Sequence, residues 1–165
     1  MRKQEIVLGI DPGTKKIGFG LIEKKDKNYS FISAGLIKPE KMTLPEIAKE
    51  FVKIIKKHRP KLLAIEKVYF GRNTSSALAV SELKGAFLSQ AETAKLRVIE
   101  ISPTEVKNIV CGYGRADKLS VRKMMEKIIS INKDLNSKDA IDALAIALAG
   151  EIKSSGLDNL KISDK

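Results

Sequence analysis

The segment from Ile6 to Thr14 constrains this chain more than any other. Ile6, Val7, Leu8 and Ile10 form a short apolar run that halts at Asp11 and turns at once through Pro12-Gly13-Thr14. A run this short, closed by turn residues, predicts a buried strand ending in a tight turn. Residues 17–23 and 29–37 read as two more strands, joined through the polar Lys24–Asn28, and the three form an antiparallel meander. Gly18 and Gly20 leave one face of the second strand bare, which predicts close approach of a backbone or a ligand.

Beyond residue 40 the period changes from two to that of a helix. Thr43-Leu44-Pro45-Glu46 is a capping box, and Ile47, Phe51, Ile54, Ile55 and His58 follow at helical spacing until Pro60. Leu62 to Ile65 reads as a buried strand ending at Glu66. Residues 74–95 predict a long helix with an apolar stripe that includes Leu78, Leu83, Phe87 and Leu88. Arg97 to Ile101 is a strand, and Ser102-Pro103-Thr104-Glu105 caps a helix that ends near Cys111. The Gly112-Tyr113-Gly114 loop precedes a helix over 117–131, and a last helix runs from about Ser137 to about Lys153. The order predicts an α/β fold with a five-stranded mixed sheet flanked by helices. It forms one domain over 1–153, with a flexible polar tail over 154–165.

Composition then narrows the chemistry. The chain carries 31 Lys and Arg against 20 Asp and Glu, a net charge of +11, which favours nucleic acid as partner and an anionic membrane surface second. Only six of these cations are Arg, which suits contact with phosphate more than the reading of base edges. Cys111 is the only cysteine and His58 the only histidine, so intrachain disulfides, Cys-based zinc sites and multi-His metal sites are excluded. His58 is expected as a surface or capping residue and Cys111 as a packed one. No stretch approaches a membrane span, and the opening apolar run is too short for a signal peptide; a cytoplasmic protein without a membrane partner is expected.

Four acids stand in unusual places. Asp11 and Glu66 each end a predicted strand, and Asp139 and Asp142 are neighbours on one helix face. Ligands in open α/β sheets bind at strand ends. If the first and fourth strands are adjacent and parallel, Asp11 and Glu66 lie side by side and the helix pair closes the site. Hard oxygen donors without His or Cys point to Mg²⁺ or Mn²⁺. Two such ions about 3.5–4 Å apart suit in-line displacement at phosphorus, so phosphodiester hydrolysis follows as the reaction class. Taken singly, each acid also has an ordinary structural role open to it. Asp11 suits a turn, Asp139 suits a helix N-terminus, and Glu66 can pair with Lys67 or Lys95. Asp142 sits among Ile141, Leu144 and Ala145, where an unpartnered carboxylate is costly.

Together these segments resemble the RuvC family of Holliday junction resolvases, within the ribonuclease H-like superfamily. The matching stretches are GIDPGT at 9–14 followed by IGFG, AIE at 64–66 with an aromatic pair and Asn73 beyond, GYGRADK at 112–118, and DAIDALAIA at 139–147. The resemblance implies a ribonuclease H-like fold and four metal-binding catalytic acids, Asp11, Glu66, Asp139 and Asp142. It also implies two Mg²⁺ ions per site, with Mn²⁺ able to substitute. A homodimer would bind a four-way DNA junction and make paired symmetric nicks that leave 5′-phosphate and 3′-hydroxyl ends. A short T-containing cleavage site and cooperation with the RuvA–RuvB branch-migration complex are implied likewise.

Where family members often carry Phe three residues after the strand Glu, this chain has Tyr69, followed by Phe70. The resemblance implies an aromatic at the junction centre, while one residue of such a pair is ordinarily core. The resemblance favours Lys107 and Lys118, with Arg115 and Arg72, as phosphate contacts. Alternatives are a YqgF-type nuclease acting on structured RNA and a non-catalytic junction-binding protein. An actin-like ATPase shares the Asp-x-Gly-Thr turn but needs two domains.

Overall fold

The computed structural model describes residues 4–69, 74–131 and 135–162. Five strands, β1 (Gln4–Asp11), β2 (Ile17–Lys25), β3 (Asn28–Ile37), β4 (Leu62–Glu66) and β5 (Arg97–Ile101), form one sheet in the order β3-β2-β1-β4-β5. The first three strands are an antiparallel meander, and β4 and β5 join parallel to β1. The crossovers are α1 (Leu44–His58) and α2 (Thr74–Thr93); α3 (Pro103–Cys111), α4 (Lys118–Ile129) and α5 (Lys138–Ile162) follow the last strand.

Side chains alternate across each strand, so the sheet has two different faces. Leu8, Ile10, Leu63 and Ile65 point to α1 and α2, where they meet Ile47, Phe51, Leu83 and Phe87. The Phe51 and Phe87 rings stack with centroids 4.4 Å apart and join the two helices. Val7, Leu62, Ala64, Ile99 and Ile101 point the other way, to Val106, Val121, Met125, Leu144 and Leu148. The predicted caps form: Glu46 accepts from the Thr43 amide at 2.6 Å, and Glu105 from the Ser102 amide at 2.8 Å.

The helix α5 lies against β1 and β2 with almost no side chain between. A Cβ on Gly9 would overlap the Ala143 carbonyl oxygen and stand 2.6 Å from the Ala147 amide nitrogen. One on Gly20 would stand 2.6 Å from the Leu144 nitrogen, and one on Gly18 would overlap the Asp139 carbonyl. The bare face expected of the second strand is therefore covered by helix backbone. Ala140, Ala143 and Ala147 keep the helix side of this contact thin, and all three are fully buried.

Two expectations change. The last helix does not stop near Lys153 but continues as α5 to Ile162. Ser154 is buried and accepts from Arg97 at 3.3 Å, and Ser155 accepts from Lys24 at 2.9 Å, so the first turn of the expected tail is bonded to the sheet. Leu78 is not part of the buried stripe of α2; it is 57% exposed, and the small Ala77 and Ala91 take the inward positions with Leu83 and Phe87.

Gly9→Ala should destabilise the fold by about 3 kcal/mol or more, because the obstructing atoms are backbone and cannot rotate away. Gly85→Ala, at an exposed α2 position with nothing within 4 Å, should stabilise it by about 0.5–1 kcal/mol. Urea unfolding of both variants measures the contrast, and equal effects would contradict the packing described.

Candidate active site

The sheet order brings together acids that are far apart in the chain. In the parallel β1–β4 pair Ile10 lies opposite Ile65, so Asp11 and Glu66 leave the sheet at neighbouring strand ends. Alternation puts both on the α5 face, in line with Gly9 and Ala64. Across the other neighbour, Asp11 is paired with Gly18, the residue on which the Asp139 backbone rests. Asp142 follows one helical turn later on the same face. All four carboxylates thus approach one corner of the molecule, from two strands and one helix.

Asp11, Glu66 and Asp142 line a cleft of about 290 Å³ together with Lys107 from α3 and Lys118 from the start of α4. Burial raises the Asp11 carboxyl to about 7, and the charges of Glu66, Asp142 and Asp139 push the same way. Glu66 is raised too, first by burial and then by Asp142. Lys118 opposes both shifts and donates to Asp142 Oδ2 at 2.8 Å, which raises its own pKa. One ammonium offsets at most one of the four negative charges. Unit charges about 4 Å apart near a protein surface interact by about 4 kcal/mol, so protonation of Asp11 near neutrality relieves part of the remaining repulsion.

Among the described residues, no three His, Cys, Asp or Glu side chains form a closed metal-ligand group. Asp142 is held by Lys118. The donor set nevertheless fits a hard divalent cation: carboxylate oxygens only, partly desolvated, with excess negative charge. The oxygens of Asp11, Glu66, Asp139 and Asp142 are the groups that would hold it.

The other predicted residues divide. Lys107 is half-buried in the cleft wall, and Lys118 is exposed apart from its bond to Asp142. Arg115 is exposed on the loop before α4 and does not line the cleft. Tyr69 is 62% exposed and lines a second hollow of about 400 Å³ that shares Glu66 with the acid cleft and is backed by Pro12, Ser76 and Val80. Phe70, Arg72 and Asn73 lie outside the described residues. Lys67 turns from Glu66 towards Glu105, 3.9 Å away. His58 is half-buried at the end of α1, where burial and Lys57 lower its pKa, and Cys111 packs beside the core with its thiol pushed up by burial.

Glu105 has more partners than its cap predicts. Lys153 reaches it from α5 at 2.6 Å, and this bond, with the Ser102 amide, holds its carboxyl down at about 2. The start of α3, two residues before Lys107, is thereby fastened to α5, the helix that carries Asp139 and Asp142. The capping pattern reveals the local bond, but the Lys153 contact spans 48 residues and leaves no local signal.

A five-stranded mixed sheet in this order, with carboxylates at the ends of the two central parallel strands and on the helix above them, defines a ribonuclease H-like nuclease. Comparison with known proteins narrows the class. Residues 7–150 match the family model of the crossover junction endodeoxyribonuclease RuvC. The Halothermothrix orenii crossover junction endodeoxyribonuclease RuvC is 36% identical over 148 residues, covering 87% of this chain and 90% of the relative. Its counterpart from Carboxydothermus hydrogenoformans is 36% identical over 156 residues, covering 92% and 98%. The T. thermophilus RuvC structure in complex with a Holliday junction substrate superposes with a TM-score of 0.83 at 27% identity, over 91% of this chain and 94% of that one. This chain belongs to the RuvC family of crossover junction endodeoxyribonucleases. Among the described residues, no helix is long and apolar enough to cross a membrane.

The raised Asp11 pKa sets a pH dependence. Unfolded, this carboxyl titrates near its ordinary value of 3.8; folded, it titrates at about 7. Between those values the unfolded chain has released a proton that the folded chain still holds, so rising pH favours unfolding across that window. In EDTA, the urea midpoint is expected to pick up this downward contribution from about pH 4 to about pH 7. Asp11→Asn should remove it, and an unchanged pH profile in the variant would contradict the assignment.

Proposed function

We propose that this protein cuts four-way DNA junctions by metal-dependent phosphodiester hydrolysis, working as a homodimer that places two symmetric nicks. The observation that carries the reading is the strand-end carboxyl of Asp11. It is driven to about 7 by burial and by three neighbouring acids, in a cleft walled by two lysines of a RuvC-family chain. The junction-bound state of the T. thermophilus relative supports the same substrate class.

Asp11, Glu66, Asp139 and Asp142 are the residues proposed to hold Mg²⁺, with Mn²⁺ as a substitute. When bound, the ions supply positive charge that polarises the phosphodiester and eases ionisation of the attacking water. The chain's own part is placement. The two strand-end acids are fixed by the sheet, and the helix acids by the contact of α5 with Gly18 and Gly20. Lys107 and Lys118 draw the phosphate towards the acids, and charge developing on its oxygens is stabilised by the same ammonium groups. Arg115, Arg72, Tyr69 and Phe70 are proposed to contact DNA beyond the cleft. Attack of water at phosphorus with the 3′-oxygen as leaving group breaks the P–O3′ bond and gives 5′-phosphate and 3′-hydroxyl ends. Cooperation with RuvA–RuvB belongs to the same proposal. The exposed Leu78 on α2 supports that helix as the face for the second copy.

Synthetic junction, linear duplex and structured RNA are incubated with the protein in Mg²⁺ or EDTA. The junction alone should be cut, by paired nicks and only with the metal. Asp11→Asn should abolish cutting, with at least a hundredfold loss, while junction binding is kept or strengthened because a repulsive charge has gone. Equal cutting of linear duplex, or cutting that survives EDTA, would overturn the reading.

A further inference from the structure

A second groove, of about 350 Å³, lies between α4 and α5 and shares Lys118 and Asp142 with the acid cleft. It is lined by Lys118, Leu119, Arg122, Lys138, Ile141 and Asp142. Its floor is largely apolar and its rim is cationic. Leu119 is 58% exposed, while Ile141 beneath it is buried. Covering a leucine this open would be favourable, since its apolar surface would leave water. The walls are held in place. Arg122 donates to Glu126 at 2.9 Å and to the Leu135 carbonyl at 3.3 Å, and Asp117 caps α4 by accepting from the Ser120 amide at 2.7 Å.

Charge and continuity indicate the occupant. Three of the six lining side chains are cations, and the one acid is already bonded to Lys118. The groove shares Lys118 and Asp142 with the acid cleft, so the two hollows form one trough with that ion pair as its ridge. A strand with its phosphate at the acids therefore presents the next nucleotide at this groove. We infer that the groove is a subsite for the nucleotide flanking the scissile phosphate. Its base leaves the stack and lies over Leu119 and Ile141, and its phosphate meets Lys138. A base at a branch point has already lost part of its stacking, which lowers the cost of turning it out, and apolar side chains against unstacked bases are a general means of holding deformed DNA. This inference rests on the junction cleavage proposed above.

The test uses the full chain and a junction with one diazirine-bearing base placed in turn at positions around the cut, irradiated in EDTA so that nothing is cleaved. The carbene, formed with loss of N₂, inserts into the nearest C–H bond. At one flanking position the adduct should fall on 118–122 or 138–142, as identified by mass spectrometry of the peptides. In Mg²⁺, Leu119→Ala should slow cutting about tenfold, since covering a leucine is worth at least one such step. An abasic nucleotide at the crosslinked position should slow the natural protein similarly, and the two losses should not add. A leucine with only a structural role gives additive losses at every position. Lys138→Gln should lower the salt dependence of junction binding by about one phosphate contact. Adducts confined to other segments, or strictly additive losses, would overturn the subsite. If the natural protein crosslinks in the groove but cuts no junction, cleavage fails while the subsite stands as a binding site. If it cuts but crosslinks elsewhere, the reverse holds.

Discussion

Everything at the cleft depends on how closely α5 lies on the sheet. Gly9, Gly18 and Gly20 remove the side chains that normally separate a helix from strands, and the alanines of α5 remove them from the other side. Layers this close leave no space for an inserted methyl group, and interiors at crystal-like density do not yield by that amount. The helix is consequently located by backbone against backbone, and Asp139 and Asp142 inherit that location. Rotamer freedom acts only on the last bonds of each acid. Farther along, Glu151 is buried and bonded to Lys24 and to the Tyr29 hydroxyl, so the second half of α5 is held to β2 and β3 by charge as well as by packing.

The charge distribution follows from the same arrangement. A chain with net charge +11 concentrates four acids at one corner, where burial and mutual repulsion make at least one of them hard to ionise. Such a corner is poorly stable on its own and well suited to cations. The lysines around it serve two ends. Lys118 and Lys107 reduce the local repulsion and offer contacts to a polyanion, whereas Lys153 and Lys67 are directed to Glu105 and hold the start of α3 in place. The excess positive charge is thus divided between a structural set and a set facing the cleft.

Much of this arrangement is legible in the sequence. Asp11 and Glu66 stand out because each ends an apolar run, and Asp139 and Asp142 because a spacing of three on a helix makes them neighbours; these signals are local. The bare face at Gly18 and Gly20 was legible as a close approach, and the identity of the approaching backbone was not, since α5 lies more than a hundred residues away. Sequence alone points Leu78 inward because hydropathy gives little phase on a helix whose buried line includes Ala77 and Ala91. The end of α5 is hidden in the sequence because Ser154 and Ser155 look like tail residues until Arg97 and Lys24 are beside them. The Leu119 groove had no linear signature, because its walls come from two helices that meet only in the folded chain.

The position of α5 in the chain also has a consequence in time. Asp11 and Glu66 are synthesised in the first half, but the helix acids, and the apolar surface that covers β1 and β2, come after residue 137. A ribosome-bound chain lacking this helix leaves β1 and β2 uncovered on one face and has only two of the four acids, held by the β1–β4 pairing. The four acids come together only when α5 docks. The same step that covers the apolar face of β1 and β2 brings Asp139 and Asp142 to Asp11 and Glu66, so burial of the core and convergence of the acids are one event.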